Sequence, residues 1–296
     1  DYQHVMTLLT SQPSKLGGVM ETFLRTKFEP ALYAGMKEKG YDMIPYVNAY
    51  GDKPENGWST YWDSPRYTSG YATLWNSFAF VPETHMLKPY DQRVMATLAL
   101  MENFIAFTGK NATEMQELRN KTKQAVATAT AFPIKWKLDK TGFTEYTFKG
   151  FESGNKPSEV SGLPRLYYDR SKPFTKAIKI YDKFVPEVII EKPKAYIIPQ
   201  GWWKVIDRLK MNQVKMVALE KDTSMAVEWY QLEDYKTSPR QYEMHHINSD
   251  VIVTKQTGIK TFRKGDWVIE LNQPANRFLM ETLEPQAEDS YFAWNF

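Results

Sequence analysis

Glu83 is a residue whose type and place suit proton transfer, and His85, two positions on, is expected to pack or to orient the loop. They stand in the stretch Phe78 to Tyr90, FAFVPETHMLKPY. Proline has no backbone N–H, so Pro82 is expected to close the apolar run Phe78-Ala79-Phe80-Val81. Glu83, Thr84 and His85 would then form the polar tip of a buried strand. In open α/β sheets, ligands bind in the crevice outside the carboxyl ends of the strands. A carboxylate held rigidly at such a tip can act as a general acid or base. The competing reading is a solvated carboxylate at a strand end.

A second stretch, WSTYWDSPRYTSGY at 58 to 71, is dense in aromatic rings around one arginine. Its rings could line a cleft while Arg66 clamps an anionic group, because the guanidinium donates two parallel hydrogen bonds to a carboxylate. In the structural alternative the rings pack under the loop and Arg66 pairs with a carboxylate such as Asp63. Metal chemistry finds no support in the spacing. The four histidines are His4, His85, His245 and His246, and no H-x-x-E, H-x-x-H or H-E-x-x-H occurs. The metal-ligand set expected of this chain is therefore none. His245 and His246 are expected in a strand, pointing to opposite faces. G-x-S-x-G, phosphate-loop and dinucleotide glycine motifs are likewise missing.

These residues need elements to hold them. A helix is expected from about 18 to 39, ended by Gly40 in the left-handed conformation. A short strand follows at 43 to 47, and a turn-rich loop at 51 to 58. Val94, Leu98, Met101 and Ile105 fall at i, i+4, i+7 and i+11, one face of a helix from Asp91 to Phe107. Gly109 should end it, and a second helix should run from Thr113 to Thr130. Ile134 to Leu138 and Phe143 to Phe148 flank Asp139-Lys140-Thr141-Gly142, a hairpin signature. Residues 149 to 175 are rich in Gly, Pro and Ser, with one more strand expected at Arg165 to Tyr168. Beyond it, Ala195 to Ile198, Trp202 to Leu209 and Val214 to Leu219 make a strand–helix–strand unit. Short strands near 225 to 232, 242 to 247, 251 to 254 and 267 to 271 precede a last helix at about 274 to 283.

The chain has 296 residues, which suits about two domains. Its net charge of +3 includes no basic stripe, so nucleic acid is not an expected partner. Cysteine is absent, which removes disulfides, thiolate nucleophiles and cysteine zinc sites. No apolar run reaches the roughly 20 residues of a membrane span, so a membrane is not an expected partner. Asp1-Tyr2-Gln3 does not look like a native start, and the numbering is read as beginning inside a longer polypeptide.

Residues 62 to 90, WDSPRYTSGYATLWNSFAFVPETHMLKPY, resemble the end of the catalytic domain of carboxypeptidase A-like zinc metallopeptidases. The resemblance is to large secreted bacterial members. The opening DYQH resembles the segment after the family's third zinc ligand. AYIIPQGWWKVIDRLK at 195 to 210 and LNQPANRFLMETLEPQAEDSYFAWNF at 271 to 296 resemble the accessory domain. The resemblance implies an α/β fold: the second half of a mixed-sheet peptidase domain at 1–130, then a mainly β accessory domain at 131–296. It makes Glu83 the catalytic glutamate. Tyr61 and Tyr67 are both candidates for the tyrosine that closes over substrate, and Arg66 stays a separate substrate-binding candidate. The family's H-x-x-E is missing here. Zinc is thus implied for the parent enzyme and not for this chain alone, which should be inactive. The implied partners are a peptide substrate and the absent N-terminal segment or a second copy. The implied location is secreted or periplasmic. The rival expectation is a non-catalytic peptide- or glycan-binding module.

Overall fold

The computed structural model describes residues 1–50 and 52–296, so Gly51 of the expected loop lies outside them. The first half runs β1 (Met6–Thr10), α1 (Pro13–Leu16), α2 (Gly18–Phe23), a π-helical stretch (Leu24–Phe28), α3 (Glu29–Glu38), β2 (Met43–Pro45), β3 (Trp58–Ser59), α4 (Thr68–Leu74), β4 (Phe80–Thr84) and α5 (Tyr90–Thr128). The second runs β5 (Ala131–Leu138), β6 (Thr144–Pro157), β7 (Pro164–Tyr181), β8 (Phe184–Glu191), β9 (Ala195–Ile198), α6 (Trp203–Met211), β10 (Val217–Ala218), β11 (Thr223–Thr237), β12 (Asn248–Phe262), β13 (Trp267–Glu270) and α7 (Asn276–Leu283). The chain is mixed α/β, with several small sheets rather than one large one. No helix among the described residues is long and apolar enough to cross a membrane.

Two compact units interleave along the sequence, where the sequence reading divided the chain at a single point, 130/131. The first holds residues 1–63, 78–119 and 138–185, and the second holds 64–77, 120–137 and 186–296.

In the first unit β1 lies between β2, which is parallel to it, and β4, which is antiparallel. β1 is the strand the sequence reading missed: Met6 to Leu9 are buried without alternation, as in a strand covered on both faces. One core gathers Leu8, Met20, Leu24, Phe28, Leu32 and Leu100. A second packs Ile44 and Trp58 against Phe148, Ile178 and Ile180 of the β6–β7 ribbon. Gly40 follows α3 with φ of 82°, as expected of a glycine past a helix end.

Three expectations in this unit are corrected. The strand expected at Arg165 to Tyr168 is part of a much longer one: β6 and β7 form an antiparallel ribbon from Thr144↔Ile180 to Pro157↔Pro164. Its glycines are packing positions, not turn markers. A Cβ on Gly150 would lie 2.5 Å from the Phe174 ring, and one on Gly154 would lie 3.0 Å from Tyr167. The hairpin around Asp139 is not formed, because β6 pairs with β7 while β5 pairs with β8. The turn itself exists. Asp139 Oδ1 accepts from the Thr141 amide at 2.9 Å and hydroxyl at 2.6 Å, but the turn joins two different sheets. The helix is not broken at Gly109, since α5 is continuous over 39 residues. Its Val94, Leu98, Met101 and Ile105 face is exposed, and the face carrying Ala96, Ala99, Leu100, Phe104 and Phe107 meets the core. The small alanines let the helix approach closely.

In the second unit β9 and β10 both run antiparallel to β13, which lies between them, so they are parallel to each other. α6 connects them. The expected strand–helix–strand unit is therefore present, split by a later strand. α6 and α7 bury Val205, Ile206, Leu209, Phe278, Leu279 and Met280 in this unit's core. β11 and β12 form a second long ribbon. Residues 242 to 247 are not a strand. Glu243 and Met244 have φ of 49° and 65°, and Tyr242 bridges back to His245 in a tight turn.

Candidate functional site

Glu83 does not sit at a strand tip. It lies within β4, opposite Thr7 of β1. Pro82 does not end the strand either, and the register shows why. The Leu8 carbonyl accepts from Tyr46 N–H at 3.0 Å, so the polar backbone groups of Leu8 face β2. Pro82, opposite Leu8, needs no donor toward β1, and its nitrogen points out from the sheet edge. Alternation places Phe80 and Glu83 on opposite faces. The Phe80 ring packs 4.8 Å from Phe28 and Phe104, and the Glu83 side chain is exposed rather than partly desolvated.

Around that carboxylate the first unit gathers phenols. Tyr46 follows β2 directly. Its hydroxyl shares a 3.2 Å hydrogen bond with Tyr50, and its ring meets the Tyr61 ring edge-on at 5.9 Å. Burial, the Tyr50 hydrogen bond and the charge of Glu83 hold the Tyr46 phenol well above its ordinary pKa. Burial and the charge of Glu83 push Tyr2 up to about 12. Tyr61 thus packs on Tyr46, a residue the sequence reading did not single out, and the charge of Glu83 is felt at Tyr46 across the sheet. The sequence placed Tyr46 in an expected strand, but its relation to Glu83 runs across β1 and no local spacing encodes it.

His85 extends the same strand edge, its N–H donating to Val5 O at 2.8 Å. Leu87 N–H donates to His85 Nδ1 at 3.1 Å, which leaves Nε2 as the protonated nitrogen, 3.0 Å from Asp1 Oδ1. Burial, with the charges of Lys88 and Arg170, lowers its pKa to about 4. The ring is therefore neutral near pH 7, and its 3.0 Å approach to Asp1 Oδ1 is a close polar contact without hydrogen-bond geometry. Arg170 Nε holds the other Asp1 oxygen at 2.8 Å. His85 orients the strand's end.

Arg66 and Tyr67 belong to the second unit. Arg66 donates from its backbone N–H to Asp289 Oδ2 and from Nε to Oδ1, each at 2.8 Å. Its guanidinium also lies 5.0 Å over the Trp294 ring. Hydrogen bonds from Arg66 and Trp294 hold the Asp289 carboxyl below its usual range against the opposing effect of burial, the largest influence. The guanidinium is committed to this ion pair, and the partner is Asp289, not Asp63. Tyr67 hydrogen-bonds Tyr242.

A half-buried acid in the first unit had no sequence signal. Glu29, the first residue of α3, has its pKa raised to about 7 by burial and Asp182, against the opposing charge of Arg25. Arg25 is itself held by Asp182 at 3.1 Å.

Among the described residues no three His, Cys, Asp or Glu side chains gather as a metal site. His4 and His85 each use both ring nitrogens within the protein. The residues present do not fit a zinc site. No family model, curated protein or solved structure matches this chain.

Proposed function

We propose that the first unit carries the carboxylate part of a peptide-hydrolysing site, and that the parent protein is a zinc-dependent metallocarboxypeptidase. The observation that carries this reading is the exposed Glu83 on an edge strand, whose charge is felt at Tyr46, itself packed on Tyr61. An exposed carboxylate on a rigid strand can take a proton from attacking water and return it to the leaving amine. Water oxygen then bonds to the peptide carbonyl carbon, and the carbon–nitrogen bond breaks. The Tyr46 phenol, held above its ordinary pKa, stays protonated at neutral pH and can donate a hydrogen bond to a substrate, while the Tyr46 and Tyr61 rings give it an apolar wall. Among the described residues the zinc of such an enzyme finds no ligand set.

The test is hydrolysis of a peptide with a free C-terminus by the complete parent polypeptide and its Glu83→Gln variant. A general base contributes about 10²–10⁴-fold, and kcat should fall by that order with the fold unchanged. Activity within a few-fold of wild type would sink the assignment and leave the non-catalytic binding module as the better reading.

A further inference from the structure

The second unit holds a cleft of about 220 Å³ that the hydrolytic reading does not use. Tyr196, from β9, and Tyr230 and Glu228, from β11, line it with Glu284, Glu191 and Lys255. Register explains the gathering on the ribbon. Tyr230 lies opposite Lys255 and Glu228 opposite Thr257, so Tyr230, Glu228 and Lys255 share one face. Trp229 borders the cleft too, with the Lys260 ammonium 3.7 Å from its ring centroid.

The floor is Glu284, a carboxylate-bearing residue only 3% exposed. The Tyr196 hydroxyl donates to its Oε1, and Tyr230 hydrogen-bonds the same carboxylate. Burial and the Glu284 charge hold both phenols far above their ordinary pKa, so they remain donors. Neither phenol cancels the charge. The two lysines of the cleft are committed elsewhere: Lys255 to Glu228 at 3.0 Å, and Lys192 Nζ to the Ala127 carbonyl at 3.0 Å. No ion pair joins Glu284 to a cation among the described residues. Buried carboxylates are ordinarily paired, because desolvation otherwise costs several kcal/mol. Glu284 also directly follows α7, and a helix C-terminus carries partial negative charge.

We propose that this cleft binds a protonated amine or guanidinium, seated on the Glu284 carboxylate between the Tyr196 and Tyr230 rings. Aromatic faces attract such a cation, and the carboxylate supplies the countercharge left open in the fold. The same group could arrive on a free small amine or on a lysine or arginine side chain of a peptide. The proposal stands independently of Glu83.

The experiment titrates the whole chain with n-butylammonium, with a capped Gly-Lys-Gly peptide and with neutral n-pentanol. Binding is read by calorimetry and by the indole N–H resonance of Trp229. Both cations should bind saturably, more weakly as salt rises, while pentanol leaves the resonance in place. Binding of butylammonium without the peptide supports the cleft and assigns it to small amines. Glu284→Gln should weaken binding about tenfold or more, since it removes the charge and keeps the shape. Should that variant fail to fold, the exposed rim variant Glu191→Gln, expected to cost a few-fold, keeps the charge requirement testable. Failure of both cations to bind, equal binding of pentanol, or unchanged affinity in a folded Glu284→Gln protein overturns the proposal.

Discussion

Two glutamates, one in each unit, show how surroundings divide the uses of one functional group. Glu83 lies on an edge strand with its side chain in solvent, near phenols whose pKa it raises. Glu284 is buried, and two tyrosine hydroxyls donate to it. A carboxylate open to solvent can exchange its proton with water or substrate. One that is buried and accepts from two phenols becomes a fixed charge that can hold a cation but has little room to shuttle protons. Chemical type is identical in the two places. Access and hydrogen-bond saturation make the difference.

The largest expected effect sharpens that contrast directly. Glu83→Gln in the parent protein should lower kcat by about 10²–10⁴-fold while amine binding in the second unit and the melting temperature hold. Loss of amine binding in that variant would mean the two carboxylates do not act separately.

The next effect compares two faces of one helix. Leu100 is buried at 1% exposure in the first unit's core, while Leu98, two positions earlier on α5, is 46% exposed. Leu100→Ala should cost about 2–5 kcal/mol through lost burial and a cavity. Leu98→Ala should stay within about 0.5 kcal/mol. Denaturant unfolding of both variants checks this, and equal costs would mean the exposed stripe is covered in solution.

That helix also marks what the sequence made legible. Its apolar period was readable, but it carries two apolar faces, and period alone does not choose between Leu98 and Leu100. The strand–helix–strand unit was readable because each piece keeps its own local pattern. The β6–β7 ribbon was hidden because Gly150 and Gly154 serve ring packing, while glycine in a sequence reads as a turn. Glu83 was read as the polar tip after a strand closed by Pro82, and its place within β4 depends on which backbone groups of Leu8 face β2. Tyr46 and Glu284 needed pairings across long stretches of chain. Glu284 meets Tyr196 across 88 positions, and no local spacing encodes that.

A third carboxylate sharpens the comparison through pH. The pKa of Glu29 rises from an ordinary 4.5 to about 7 in the fold. Between those values the folded chain keeps a proton that the unfolded chain has released. Stability is therefore fully present below about 4.5, falls as pH rises through about 7, and stays lower above it. Glu29→Gln should match wild type at low pH and melt a few degrees higher near pH 8. An unchanged slope of melting temperature against pH would show that Glu29 ionises in the fold as it does in water.

The smallest effect runs with the opposite sign and comes from His85. Its pKa falls from 6.5 to about 4 in the fold, burial being the largest cause. Between these values the unfolded chain binds a proton that the folded chain refuses. The contribution is present above 6.5 and is lost as pH falls through about 4. His85→Gln also changes the contacts to Leu87 N–H and Asp1, worth about 1 kcal/mol for a typical net hydrogen bond. The variant should therefore be slightly less stable at pH 7 and should close the gap, or overtake wild type, near pH 5. Peptide hydrolysis should change only a few-fold, because His85 positions the strand end and is not the base. A loss as large as that of Glu83→Gln would transfer the proton-shuttling role from the carboxylate to the imidazole. A gap that widens toward pH 5 would show that His85 is charged in the fold and that its contact with Asp1 is an ion pair.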